Sequence, residues 1–124
     1  MTLQELYSNI GESYEQALRV LRVEKLVDKH IRKVITNGLI ETLLDAGQSM
    51  DAVRLFEAAH AVKGNCGNLG LTALAAAASK ISEEFRPGTA RSMTDGEVKA
   101  ELAELAALYE KTAKEISRYV AENP

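Results

Sequence analysis

Apolar residues recur at intervals of three and four along nearly the whole chain, and the pattern is interrupted only at a few turn and cap residues. Thr2-Leu3-Gln4-Glu5 has the form of a capping box, in which a threonine oxygen and a glutamate carboxylate each satisfy a free backbone N–H. It predicts a short helix to about Asn9, before Gly11. Ser13-Tyr14-Glu15-Gln16 is a second box. It opens a long helical pattern through Leu18, Leu21, Leu26, Ile31 and Ile35, with room for a bend near Val23, that stops at Asn37-Gly38. Leu39 to Ala46 reads as a short helix ended by Gly47. Ser49 is then placed to cap the next helix, with Asp51 in its first turn.

In that next helix Ala52, Leu55, Ala59, Val62, Cys66 and Leu69 form one apolar stripe. From Leu71 to Phe85 the stripe is Leu71, Leu74, Ala78, Ile81 and Phe85, and the alanine run at 75–78 permits close helix packing. Arg86-Pro87-Gly88 ends it, residues 87–95 form a loop, and Thr94-Asp95-Gly96-Glu97 is a third capping box. The last helix presents Val98, Leu102, Leu105, Tyr109, Ile116 and Tyr119 on one face up to about Ala121. No segment reads as a strand. Short loops between amphipathic helices favour antiparallel neighbours. The expected fold is therefore all-α: an antiparallel four-helix bundle, with short accessory helices at the N-terminus and before the 52–70 helix, in a single domain over 1–124.

Size and composition narrow the function. A chain of 124 residues is enough for one domain. Aromatic residues are only 5% and Trp is absent, so the core must come from Leu, Val, Ile and Ala. A net charge of −3 gives no overall pull towards nucleic acid. No apolar run reaches the ~18 residues of a membrane span, and the acidic start MTLQELYSN is not a signal peptide. The single cysteine, Cys66, cannot form an internal disulfide and lies in the apolar stripe, where packing is its expected role. The expected setting is cytoplasmic, with no nucleic acid or membrane partner and a monomeric chain.

Chemistry concentrates between Phe56 and Gly70, in FEAAHAVKGNCGNLG. By the helical count of roughly 100° per residue, His60 stands roughly 110° from the centre of the apolar stripe, on the exposed shoulder of the helix. Lys63 and Gly64 follow one turn later on the same side, Gly67 one turn after that, and Phe56 one turn before. Each interior helix glycine costs about 1 kcal/mol relative to alanine. Glycines at 64 and 67 beside a lone His and Lys point to a bare surface for the approach of another molecule. Gly70 is better explained as a helix C-cap. Phe56 belongs either to the core edge or to a docking surface.

His60-Ala61-Val62-Lys63-Gly64, followed by Asn68-Leu69-Gly70, resembles the signature of histidine phosphotransfer domains of two-component phosphorelays. The likeness is strongest over Leu55 to Leu71 and extends loosely over the remaining helices. It implies that His60 is the phosphorylated nucleophile and Lys63 the cation that offsets phosphoryl charge, with Gly64, Gly67 and Phe56 on the docking surface. It also implies partners: response-regulator receiver domains, which bring their own magnesium, and a sensor or hybrid histidine kinase. The chain would be a phosphohistidine carrier without kinase activity of its own, since nothing in it could cradle a triphosphate. It reads as free-standing from Met1, or else as one domain of a larger hybrid or chemotaxis-type kinase.

Rival readings are available. His60 alone is an ordinary surface histidine, Lys63 a solvated lysine, and the bundle a docking module that binds a receiver or other signalling protein without phosphotransfer. Glu57-Ala58-Ala59-His60 has the Glu-x-x-His spacing of four-helix di-iron proteins, which use it twice. The only other histidine, His30, is preceded at three residues by Val27, so the second copy is missing and no metal or cofactor of its own is expected. His30 reads as a surface residue. Glu15 to Val34 holds six basic and three acidic residues, and the pairs Glu15–Arg19 and Asp28–Arg32 make that face a solvated one.

Overall fold

The computed structural model covers residues 1–124 and contains seven helices: α1 (Leu3–Ile10), α2 (Tyr14–Leu21), α3 (Glu24–Lys33), α4 (Leu39–Ser49), α5 (Ala52–Asn68), α6 (Thr72–Glu84) and α7 (Asp95–Glu122). Helix α4 packs on α5, α5 on α6, α6 on α7 and α7 back on α4, closing a four-helix bundle. The short helices lie against it, α1 and α3 on α7 and α2 on α5. Twenty-seven apolar residues from all seven helices share one buried cluster. No helix is long and apolar enough to cross a membrane.

The membership of the bundle differs from the sequence reading in one respect. The long helix expected from Ser13 to Asn37 is two helices, and α4, expected as an accessory, takes the fourth place in the bundle. The break falls at Arg22, whose φ of 75° no helix accommodates, and the Val23 N–H donates to the Leu21 carbonyl at 2.9 Å in a γ-turn. Leu21-Arg22-Val23 contains neither glycine nor proline, so the interruption answers to packing. It lets α2 lie on α5 while α3 turns to α7. It also changes which residues are inside: Ile31 is buried as expected, but Val27 and Val34 take the places of Leu26, which is exposed, and Ile35, which is half-buried.

Two further boundaries move. Helix α4 does not end at Gly47 but runs through it to Ser49, and Met50 closes it in the left-handed region. Gly47 is a contact glycine: a Cβ there would stand 2.5 Å from Leu102 Cδ1 of α7. The cap of α5 is Asp51, whose carboxylate accepts from the Arg54 N–H at 3.1 Å, while Ser49 lies inside α4 and donates to the Ala46 carbonyl. Asp51 wins because the left-handed turn at Met50 separates Ser49 from the new helix axis. The boxes at Thr2 and Thr94 form in full; that at Ser13 forms by half, since Gln16 Oε1 accepts from Arg19 and does not return to the cap. Arg19 accordingly takes Gln16 in place of Glu15, whereas the expected Asp28–Arg32 pair is present at 2.9 Å.

The turn that reverses the chain between α5 and α6 fixes the rest of the site. Gly70 has φ 68° and accepts a hydrogen bond at its carbonyl from the Ser13 N–H, 3.0 Å away. A Cβ on Gly70 would lie 2.0 Å from the Ser13 carbonyl oxygen, so only glycine fits on both grounds. The Tyr7 hydroxyl donates to the Leu69 carbonyl at 2.6 Å, inside the core. Helix α6 begins at a leucine cap position with no side-chain oxygen, and Glu12 supplies one instead, accepting from the Thr72 hydroxyl at 3.0 Å and the Ala73 N–H at 3.2 Å.

Past α6 the loop is tied down by one buried carboxylate. Glu84 accepts from the backbone N–H groups of Ser92 and Met93, from the Ser92 hydroxyl and from Arg91 Nε. These donors hold its carboxyl well below the ordinary range, at about 2, with the Met93 N–H contributing most.

Candidate functional site

Helix α5 turns its apolar stripe inward and leaves a distinct outer face. Leu55, Ala59, Val62, Cys66 and Leu69 are buried; only Ala52, at the first position, is exposed. His60 is exposed, as its angular position requires, and so are Glu57, Ala61 and Gly64. Lys63, Gly67 and Phe56 are half-buried. The structure therefore brings Phe56, His60, Lys63, Gly64 and Gly67 onto one continuous strip of surface.

The glycines fall into two kinds. A Cβ on Gly64 or on Gly67 would meet no atom within 4 Å. Nothing inside the chain requires glycine at either position, in contrast to Gly47 against Leu102 and Gly70 against Ser13. Each nonetheless carries the helix penalty of about 1 kcal/mol.

Phe56 touches the histidine directly. Its ring and the His60 imidazole are inclined by 23° with centroids 5.7 Å apart, so one face of the imidazole is covered and the other is open. The Arg86 guanidinium also stands over the Phe56 ring, 6.0 Å from its centroid. Arg86 follows the C-terminus of α6 and is held by Glu83 through both Nε, at 3.2 Å, and Nη2. Glu83 is lowered from the ordinary carboxylate range, first by that Arg86 hydrogen bond and least by the nearby Lys63 charge. No direct ion pair joins Lys63 to Glu83. Neither Glu83 nor Arg86 stands out in the sequence as a site residue. Their i,i+3 spacing suggests a pair, but only the antiparallel return of α6 brings them level with Phe56.

The remaining candidates are placed plainly. Cys66 is buried, and burial pushes its thiol up to about 12. His30 is half-buried near the end of α3, on a helix that packs on α7, away from His60. Glu57 points outward from the bundle, and no group of three or more His, Cys, Asp or Glu side chains converges anywhere as a metal site.

A family model described as "Hpt domain" matches residues 33–111, which take in the whole of α4, α5 and α6 and the first part of α7. No curated protein and no solved structure gives a significant match.

Proposed function

The chain belongs to the Hpt family of histidine phosphotransfer domains, and from that premise we propose that His60 is its phosphoryl carrier. The observation that supports this most is the exposed imidazole beside two glycines that the fold itself does not need. A receiver domain carrying an aspartyl phosphate can bring its phosphorus to the exposed edge of the ring, in the plane of the nitrogen lone pair. A ring nitrogen lone pair attacks phosphorus, the N–P bond forms, and the acyl–phosphate P–O bond breaks with its electron pair leaving on the aspartate carboxylate. The other ring nitrogen keeps its proton. The reverse sequence delivers the group to an aspartate on a second receiver.

The chemistry asks for positioning and charge compensation, because the transferring group spreads negative charge over three oxygens. Phe56 fixes the ring plane. Lys63, one turn from His60, supplies a cation. Gly64 and Gly67 let the partner's backbone and its bound magnesium come close. The chain needs no metal or nucleotide of its own for this, and it acts as an intermediate, with phosphate entering from a sensor or hybrid kinase by way of a receiver. The whole chain serves as one such domain.

The test is transfer from a phosphorylated receiver to the wild type and to His60→Gln. Label should appear on the wild type alone, labile to acid and stable to alkali as an N–P bond demands. Label retained by His60→Gln would falsify the assignment. Stable docking of the receiver without any label would leave a binding module in its place.

A further inference from the structure

Three of the four large apolar side chains that the fold leaves exposed sit at one corner of the chain: Val20 in the last turn of α2, Val23 at the turn itself and Leu26 in the first turn of α3. The same corner concentrates positive charge. Six basic and two acidic residues lie between Arg19 and Lys33, in a chain whose net charge is −3. With Val27 and Ile31 turned inward, α3 presents Lys25, Leu26, Lys29 and Lys33 outward, all exposed. Asp28 is not free to neutralise them, because it accepts from Arg32 Nε at 2.9 Å and from the Tyr119 hydroxyl at 2.6 Å. That leaves Glu24, and on α2 Glu15, which lines one open groove with Leu18, Arg19 and Arg22. At the apex Arg22 holds a left-handed φ of 75° that glycine would adopt without strain. Its side chain is exposed and makes no ion pair or hydrogen bond within the chain.

We propose that this corner binds the anionic surface of a lipid leaflet, peripherally and reversibly, with Arg22, Lys25, Lys29 and Lys33 among the headgroups and Val20, Val23 and Leu26 at the edge of the hydrocarbon. The charge pattern alone makes this face a solvated one. The exposed valines and leucine change that, because water suits the cations and not the apolar side chains. Nucleic acid would meet the cations and leave the apolar side chains in water. A second copy docking through the same corner would set cations against cations. An anionic leaflet has negative headgroups outside and hydrocarbon just beneath, and so meets both kinds of side chain at once. Residues 20–29 lie outside the 33–111 stretch that the family model matches, and none belongs to the strip around His60.

The experiment sediments the purified chain with vesicles of phosphatidylcholine alone and with vesicles of an equimolar mixture of phosphatidylcholine and phosphatidylserine. Wild type should bind the mixed vesicles in low salt, bind them less in salt that screens surface charge, and leave pure phosphatidylcholine unbound. Lys25→Gln and Lys29→Gln should each weaken binding about fivefold, the share of one cation near an anionic surface. Val23→Ser should weaken it several-fold as well. It should do so without unfolding: Val23 is the cap position of α3 and makes no side-chain cap bond, whereas serine supplies one, so the melting temperature should hold or rise. Folded wild type that stays in solution with both vesicles overturns the proposal, as does equal binding to the two compositions. So does binding to the mixed vesicles that Lys25→Gln, Lys29→Gln and Val23→Ser all leave unchanged, which would place the lipid contact on another face. Corner-dependent capture of an acidic soluble protein, without vesicle binding, would overturn it in favour of a protein partner. None of these variants alters the strip around His60, so no outcome bears on the phosphocarrier reading.

Discussion

Phe56 covers one face of the His60 imidazole, one helical turn away, with the rings 5.7 Å apart and 23° from parallel. Phe56 is half-buried and packs both against the core and against the histidine. Phe56→Ala should destabilise the fold by only about 1–2 kcal/mol, less than a fully buried phenylalanine would. Phosphotransfer should fall several-fold more than receiver binding does, because the loss is in ring orientation. Equal losses in transfer rate and in receiver affinity, measured side by side, would make Phe56 a docking residue only.

Gly64 and Gly70 should respond in opposite ways to added side chains. Gly64→Gln meets open space and gains helix propensity, up to about 1 kcal/mol. Its melting temperature should hold or rise while transfer from the receiver becomes much slower. Gly70→Ala forces both a left-handed backbone and a clash with the Ser13 carbonyl, and should cost at least about 2 kcal/mol. A wild-type transfer rate in Gly64→Gln would show that the bare strip is not where the partner sits.

Lys63→Ala removes charge without opening the core, since Lys63 is half-buried on the outer strip. Receiver binding should change little, and the transfer step should slow roughly ten- to a hundredfold. Single-turnover kinetics at saturating receiver separate the two, and an unchanged rate there would assign the cation role elsewhere.

Glu84 makes the stability of the 86–94 loop depend on pH. Its folded carboxyl titrates at about 2, below the ordinary 4.5 of the unfolded chain, so its contribution is complete above about pH 5 and is lost as pH falls towards 2. Glu84→Gln should therefore melt lower than wild type at neutral pH, and the gap should close across that acid window. A gap that persists unchanged at pH 2 would show that Glu84 acts through shape and not charge.

Cys66 should be silent in the folded protein. Burial holds the thiol up to about 12, and the thiolate is the reactive form. Alkylating reagents at pH 8 should label it only after denaturation; rapid labelling of the native state would place it at the surface.

Most of this was legible along the chain because the information is local. The stripe through Leu55, Ala59, Val62 and Cys66 fixes where His60 must point, and the capping oxygens of Thr2 and Thr94 mark helix starts within one turn. What escaped is non-local. Gly47 looks like a helix stop until Leu102 of α7 is seen against it. The bend allowed near Val23 is a full break at Arg22, with no breaker in its sequence, because two different surfaces have to be covered. Arg86 looks like the end of a helix until the hairpin carries it to Phe56. Ser49 and Asp51 are both good caps, and only the turn at Met50 chooses between them.

The carboxylate of Glu12 at the start of α6 has a consequence for autonomy. The hairpin that carries His60 does not contain its own start signal: the cap position of α6 is a leucine, and the oxygen that replaces a cap arrives from a segment 60 residues earlier, together with the Tyr7 hydroxyl and the Ser13 amide. A peptide of residues 52–86 carries every side chain of the strip around His60 together with Arg86, yet the first turn of α6 in it has no acceptor and should fray. Histidine and arginine would then no longer be held level. The first thirteen residues, which lie outside the part of the chain that its family model matches, are in this sense a remote part of the site's own scaffold.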